Sequence, residues 1–514
     1  MLLISEIKLN IDDNEEDLIK IIKKKLHLHN NEIKSFKIHK KSLDARKDVV
    51  YKYQVLVELK NENKYLKNKN VVKYHKVDTS VKKINSDIRP LIVGYGPSGI
   101  FATFRLLEAG LKPIVFEKGK RIKVRQKDVE DFFNKGVLNP NSNVQFGEGG
   151  AGTFSDAKLT TRIKDPFIEY ILDIFIKFGA KENIKYIPHA HIGTDEIRKI
   201  IERMTDYLIS QGVEFHFEEE MEQLLLDKKH AIQGIKTNKG DYLSSVVVLG
   251  IGHSAYKTIK NIYDQGINIS PKDMAIGFRV EHPQSLIDAN QLKGLNTNEA
   301  SEYFLRYNDE KAVYSFCMCP GGMVIPASSD LNRIVTNGMS YSLRNSGFAN
   351  SAILVQINKE EYEPGDLGGF ELLKEYEEKA FQISSSYKAL SMNIKDYIEG
   401  TNSPLIFKPS YPLGTIVYDF NKFFNEKDNG YFKKALKDFD KKIPGFIKEG
   451  IMIGPETRSS SPIRINRDET YQSINTKGLY PTGEGAGYGG GIMSCSLDGI
   501  RIANAIIAKI HNSV

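Results

Sequence analysis

The apolar positions change period along the chain. Over residues 3–10, Ile33 to His39 and Val49 to Leu59 they alternate, which predicts strands, the last two as an antiparallel pair. Leu18, Ile21, Ile22 and Leu26 recur at helical spacing and predict a helix over Glu15 to Leu26. These make a small α+β domain, and residues 61–88, rich in Asn and Lys, read as a linker or arm. From Leu91 the pattern shifts. An apolar run, Leu91 to Val93, enters Gly94-Tyr-Gly96-Pro-Ser-Gly99, a helical stretch runs on to Ala109, and a second run, Pro113 to Phe116, closes on Glu117. Residues 118–158 are polar and glycine-rich and predict a long loop. Thr194 or Asp195 caps a helix with Ile197, Ile200, Ile201, Met204 and Leu208 on one face, and Val213 to Phe217 reads as a strand. Another strand runs from Ser245 into Gly250-Ile-Gly252. Residues 275–450 mix alternating strands with one clear helix near Gly369 to Tyr387. A glycine loop at 483–491 then feeds a last helix, Ile492 to Lys509.

The strand–glycine turn–helix–strand–acid order at 91–117 is a dinucleotide-binding pattern. Gly94 permits the tight turn, Gly96 lets backbone approach a pyrophosphate, and Gly99 lets the helix pack close to the strand. Pro97 and Ser98 open that helix, whose free N–H groups suit an anion. Glu117, 23 residues after Gly94, is the candidate for a ribose, with Lys118 beside it. Glycine sites recur near residues 252 and 484. One nicotinamide-binding domain needs only the first; an extended FAD needs all three. The third site offers an acid and a helix N-terminus, Gly490-Gly491-Ile492, to the flavin end, where negative charge builds on reduction.

On these residues the chain resembles the glutathione-reductase-type FAD/NAD(P)-binding flavoproteins. The resemblance implies that Gly252 lets a returning strand pass the cofactor. It also implies that Gly483-Glu484 stands in place of the usual Gly-Asp pair, and that Glu220 or Met221 reaches the adenine through backbone atoms. Four segments (146–159, 316–322, 455–464 and 482–492) resemble a family of bacterial FAD-dependent dehydrogenases of uncertain function, which also carries a small N-terminal α+β domain. The expected fold is α/β: a Rossmann-like FAD domain with an inserted α+β substrate domain and the small N-terminal domain. The expected boundaries are 1–85 for the basic α+β domain with its linker, 86–272 and 453–514 for the FAD domain, and 273–452 for the substrate or cap domain.

Further candidates flank these motifs. Arg121, Arg125 and Gln145 are placed to reach phosphates or the flavin ring, and Gly149, Gly150 and Gly152 to turn backbone N–H groups towards it. Cys317 and Cys319, two of only three cysteines, share a face if they lie on a regular strand, and are candidates for redox or nucleophilic chemistry. His253 and His282 are candidate proton donors, and Arg458 and Arg464 candidate anion binders. The expected catalytic residues are Cys317, Cys319 and His253.

Charge and composition narrow the class. No run of 18 apolar residues exists, so no membrane span is expected; no signal peptide is evident, and three cysteines make no disulfide framework, which points to a cytoplasmic protein. Residues 1–90 hold 21 Lys and Arg against 13 Asp and Glu, whereas the whole chain is only +7. That basicity reads first as a solvated lysine surface and second as a site for RNA. The leading function is a FAD-dependent oxidoreductase that passes a hydride between a small organic substrate and the flavin, with NAD(P)H as a transient donor. The alternatives are a FAD-dependent tRNA-modifying protein and a non-enzymatic flavin-binding scaffold.

Overall fold

The computed structural model describes residues 1–11, 13–29, 32–44, 50–292, 300–362 and 365–512. It divides into two units, Met1–Ser80 with Leu159–His191, and Val81–Lys158 with the chain from Ile192 onward.

In the first unit a four-stranded antiparallel sheet has the order Ile33–Asp44, Val50–Leu59, Leu2–Asn10, Val71–Lys73. Helix Asp17–Leu26 buries Leu18, Ile22 and Leu26 against Ile4, Val55 and Val57. The expected strand start at Val49 lies outside the described residues. Residues 61–88 are not all linker. Val71–Lys73 pairs with Leu2–Ile4 and buries Val71, a segment too short to reveal a period. Leu159–His191 adds helix Phe167–Lys177, with Ile171, Leu172, Ile174 and Phe175 buried, an element the sequence reading did not identify.

In the second unit five parallel strands form a sheet in the order Leu479–Pro481, Val247–Leu249, Leu91–Val93, Ile114–Glu117, Glu214–Phe217. Consecutive glycine turns therefore leave the same, carboxyl, edge of three adjacent strands, the edge at which open parallel sheets bind ligands. Helices Pro97–Glu108 and Ile492–His511 pack against each other so closely that a Cβ on Gly499 would lie 2.1 Å from the Ser98 carbonyl oxygen. A three-stranded antiparallel sheet starts at Met221–Leu226.

The same unit contains a seven-stranded mixed sheet. Its central strands are Phe348–Ile357, Met274–Pro283, Ile451–Glu456 and Ala389–Asn393, with Ala312–Cys319 next to the first of them. Helices Gly368–Ser384 and Glu426–Lys442 belong with its core, where Phe278 packs 4.8 Å from Phe432, centroid to centroid. Two of these helical segments correct the sequence reading. Ile122–Lys135 is a helix inside the stretch expected to be loop, and Glu426–Lys442 is a second long helix where one was expected. The first hides because only Ile122, Val129 and Phe132 of its apolar residues are buried, while the fourth inward position is Arg125.

Candidate cofactor and active site

The three glycine turns meet. Gly94 has φ +92°, and a Cβ there would stand 2.3 Å from the Gly250 oxygen; a Cβ on Gly99 would stand 2.1 Å from the Gly94 oxygen. Neither position has room for a side chain, so the turns can close on each other and on the helix that follows. Gly485 packs against the backbone of Gly252, which brings the third turn against the second. The resulting cleft is lined by Gly94, Gly96, Pro97, Ser98, Glu117, Lys118, Gln145, Gly150, Met221, Gly252, Glu484, Gly490, Gly491 and Ile492. Gly152 and Glu220 also line it. Four expected cofactor residues do not: Gly99, Arg125, Gly149 and Gly483. Gly99 and Gly483 pack the turns from behind; a Cβ on Gly483 would meet the Ser98 hydroxyl at 2.7 Å.

Arg125 is a correction in kind. It is fully buried, and all five of its N–H donors are directed to protein: Nε to the Asn143 carbonyl at 2.8 Å, Nη1 to the Glu148 carbonyl and Thr153 Oγ1 at 2.8 Å each, and Nη2 to the Val144 and Gly150 carbonyls at 3.0 Å each. Nothing remains for a phosphate. Burial lowers its pKa to about 9, and Glu117 and Glu148 act in the opposite direction. Its task is to hold the 143–153 loop in shape. Arg121 is likewise occupied, by Asp206 at 2.7 Å and Glu148 at 3.5 Å.

Glu117, the expected ribose ligand, is held by three backbone donors. Its Oε2 accepts the Tyr95 N–H at 2.9 Å, and its Oε1 accepts those of Gly119 and Gly147 at 2.9 Å each. A carboxylate has about four lone-pair positions, so one is left for the cleft. Lys118 lies 3.2 Å from Glu220 and 4.5 Å above the Phe146 ring. Gln145 Nε2 donates to the Ala327 carbonyl at 3.3 Å.

The expected catalytic residues all line this cleft, in an arrangement that spacing did not foretell. Strand Ala312–Cys319 carries one extra residue between Phe316 and Cys319, and Cys317 has φ +42°. The regular alternation that would place both thiols alike is broken at this bulge. Cys317 opens into the cleft, while Cys319 is buried and its Sγ donates to the Cys317 carbonyl at 3.3 Å. The cleft wall surrounds both thiols closely enough that burial raises Cys317 to about 12 and Cys319 to about 11. His253 lies with Nδ1 3.7 Å from Glu484 Oε1, and its Nε2 has no hydrogen-bond partner among the described residues. Burial, with Arg458 adding to it, lowers His253 to about 4, and burial raises Glu484 to about 7.

Three other candidates are placed differently. His282 is fully buried away from the cleft, with Nε2 2.8 Å from the Phe446 carbonyl. Arg464 stacks on Tyr488 and does not line the cleft. Arg458 lines it but is taken up by Glu377 and Asp330. Sequence reasoning passed over Glu456, which also lines the cleft, and its partner Arg279, although both lie in segments it had noted.

The cleft suits an elongated, anionic cofactor. The helices beginning at Pro97 and Ile492 both start on its wall, and neither has a side-chain N-cap. Such ends present unpaired N–H groups and a positive dipole. No Cβ contact crowds Gly252, Gly490 or Gly491 within 4 Å, so backbone can approach a ligand there.

A family model described as "FAD-dependent protein, C-terminal domain-like" matches residues 273–459. A model described as "Domain of unknown function (DUF8436)" matches residues 1–58. An uncharacterized protein of Clostridium beijerinckii is 41% identical over 535 residues, covering 98% of each chain. The chain belongs to this family of FAD-dependent proteins. FAD is its cofactor. Among solved structures, this FAD-dependent protein is similar to CtdE in complex with FAD, at 11% identity over 83% of this chain and 92% of that one, with a TM-score of 0.34. It is similar to Pseudomonas aeruginosa PqsL in complex with 2-aminobenzoylacetate at 14% identity over 83% and 86%, with a TM-score of 0.34. No helix among its described residues is long and apolar enough to cross a membrane.

Proposed function

We propose that this protein is a FAD-dependent oxidoreductase that transfers a hydride between a small organic substrate and the flavin, with NAD(P)H as a transient electron donor. In this reading the nucleotide-binding part is of the glutathione-reductase type and comprises residues 86–272 and 453–514, and residues 273–452 supply the substrate side. The carrying observation is that one cleft is lined both by the three glycine turns and by Phe316, Cys317, Asn337 and Glu456 from the seven-stranded sheet and the strand pair beside it. A flavin whose adenine end follows Glu117 to Met221 would direct its ring towards that second wall. Bound FAD supplies the two-electron chemistry. The chain's own share is to hold the pyrophosphate at the helix N-terminus at Pro97, to present Glu484 and the helix at Ile492 to the flavin end, and to exclude water from the reacting face.

The test is anaerobic mixing of the FAD-loaded protein with NADH and, separately, NADPH, watching the flavin absorption band. Rapid bleaching is expected with one of them. A flavin that dithionite reduces but neither nucleotide does would remove NAD(P)H as donor. A flavin that also stays oxidised with every organic substrate screened would defeat the hydride-transfer reading.

A further inference from the structure

Two buried arginine–carboxylate pairs stand on the same side of the cleft, and they are built differently. Arg458 donates Nε to Glu377 Oε1 at 2.9 Å and Nη2 to Oε2 at 2.7 Å, with further bonds to Asp330 and Ser329. Thr457 Oγ1 adds a bond to Glu377 at 2.7 Å. That pair is closed. Arg279 meets Glu456 through a single Nε–Oε2 approach of 3.1 Å, and its Nη2 donates to the Cys317 carbonyl at 2.9 Å. That approach lacks hydrogen-bond geometry: Arg279 Nε and Nη1 and Glu456 Oε2 have no hydrogen-bond partner among the described residues, nor have the two side-chain polar atoms of Asn350. Asn350 and Arg279 lie together: a Cβ on Gly338, a cleft-lining residue, would meet Asn350 Oδ1 at 2.4 Å and Arg279 Nη1 at 2.7 Å.

Buried ion pairs that serve only structure need their remaining donors and acceptors filled. The Arg458 pair meets that need and the Arg279 pair does not. Glu456 ends its strand on the cleft wall; its buried Oε2 turns to Arg279, and its Oε1, which accepts no hydrogen bond among the described residues, is the atom left for a ligand. We propose that Glu456, oriented by Arg279, is the residue that exchanges a proton with the substrate as the hydride moves, and that the substrate is a neutral alcohol or amine. This rests on the oxidoreductase reading above.

In the oxidative direction the substrate C–H bond breaks and both its electrons pass with the hydride to FAD, which is reduced. The O–H or N–H bond breaks, its proton goes to the Glu456 carboxylate, and a C=O or C=N bond forms. The reverse direction returns the same proton. The substrate class follows from charge. The cations lining the cleft are already paired: Lys118 with Glu220, Lys158 with Glu302, and Arg458 with Glu377. Among the described residues none is left over for an anionic group.

Glu456 is poised for exchange near neutral pH. Burial raises it to about 7, with Arg279 acting against that rise. The charged and titratable groups facing it are Arg279 from Met274–Pro283 and Cys317 from Ala312–Cys319. Helix Gly368–Ser384 contributes Glu377, which Arg458 occupies, and strands Ala389–Asn393 and Thr336–Ser340 carry no titratable side chain.

The test uses bound FAD as its own probe. The visible flavin band of the oxidised, FAD-loaded protein is recorded across neutral pH for the wild type, Glu456→Gln, Glu456→Asp and Glu484→Gln, the last because Glu484 shares the cleft. Because burial raises both Glu456 and Glu484 to about 7, two components of a spectral step near neutrality are expected in the wild type: Glu484→Gln removes one, Glu456→Gln removes the other, and Glu456→Asp moves the midpoint of the latter. If Glu456→Gln does not retain FAD, the shifted midpoint of Glu456→Asp carries the result. A wild-type band that does not move with pH, or a step unchanged in Glu456→Gln or in Glu456→Asp, overturns the proposal. The titration needs neither donor nor substrate, so a flavin that neither nucleotide nor any organic substrate reduces counts against the oxidoreductase reading and not against this observation.

Discussion

Glu117 Oε1 accepts the backbone N–H of Gly147 at 2.9 Å across 30 residues of chain. One carboxylate thereby ties the end of the second strand to the loop that Arg125 organises, while Oε2 fixes the Tyr95 N–H inside the first glycine turn. The acid is thus a structural clamp as well as a ribose candidate. Glu117→Ala is expected to leave three N–H groups unpaired, at a cost on the order of 1–3 kcal/mol each. Thermal unfolding and FAD retention through gel filtration check this. A Glu117→Ala protein that loses FAD but unfolds at the wild-type temperature would show that the clamp carries no stability.

Arg125→Lys tests the loop. Lysine keeps the charge but offers three donors in place of five, so at least two of the carbonyl and hydroxyl partners lose their bond. The expected result is faster proteolytic cleavage within residues 143–153 and a weaker FAD affinity, by about tenfold for each 1.4 kcal/mol lost. A direct phosphate contact would instead weaken FAD binding and leave cleavage of the FAD-free protein unchanged.

Cys317 opens into the cleft, yet its thiol is raised to about 12 by burial. Thiolate is the reactive form, so alkylation should be slow at neutral pH and climb steadily with pH. FAD added to the FAD-free protein is expected to slow it further. Mass spectrometry after timed iodoacetamide treatment reads both effects, and fast labelling at neutral pH would contradict the placement.

Glu281 gives a pH prediction away from the cofactor. It is fully buried, accepts the Ser410 N–H at 3.0 Å and hydroxyl at 2.7 Å, and is raised by burial to about 7 from 4.5. The folded state therefore holds this proton more tightly than the unfolded chain does. The group's contribution to stability is present below about 4.5 and is lost as pH rises towards about 7. His253 and His282, both lowered to about 4, act in the opposite sense, so total stability mixes the two. The difference in unfolding free energy between wild type and Glu281→Gln isolates Glu281. It should shift against the wild type as pH rises through that window, and a difference that does not change with pH would refute the assignment.

Much of this protein was readable from its residues in order. The strand, glycine turn and helix at 91–108 follow from apolar runs and from backbone that only glycine tolerates, and both are local properties. That three glycine sites belong together was also legible, because an extended cofactor needs several such turns, and they meet around one cleft. Helix Glu426–Lys442 was legible too, since Tyr431, Phe432, Ala435, Leu436 and Phe439 keep helical spacing, but that signal was lost among alternating neighbours. What the tertiary structure decided is the use of the charged and sulfur-bearing groups. Arg125 beside a glycine loop looks the same in sequence whether its donors meet a phosphate or five protein atoms. The Cys317 bulge depends on how Ala312–Cys319 registers with Phe348–Ile357. The Arg279–Glu456 pair joins residues far apart in the chain, and its open hydrogen-bonding positions exist only because burial removes water from around them. Spacing along a chain encodes which face a residue takes; which partner it finds there, and whether that partner satisfies it, is settled by packing.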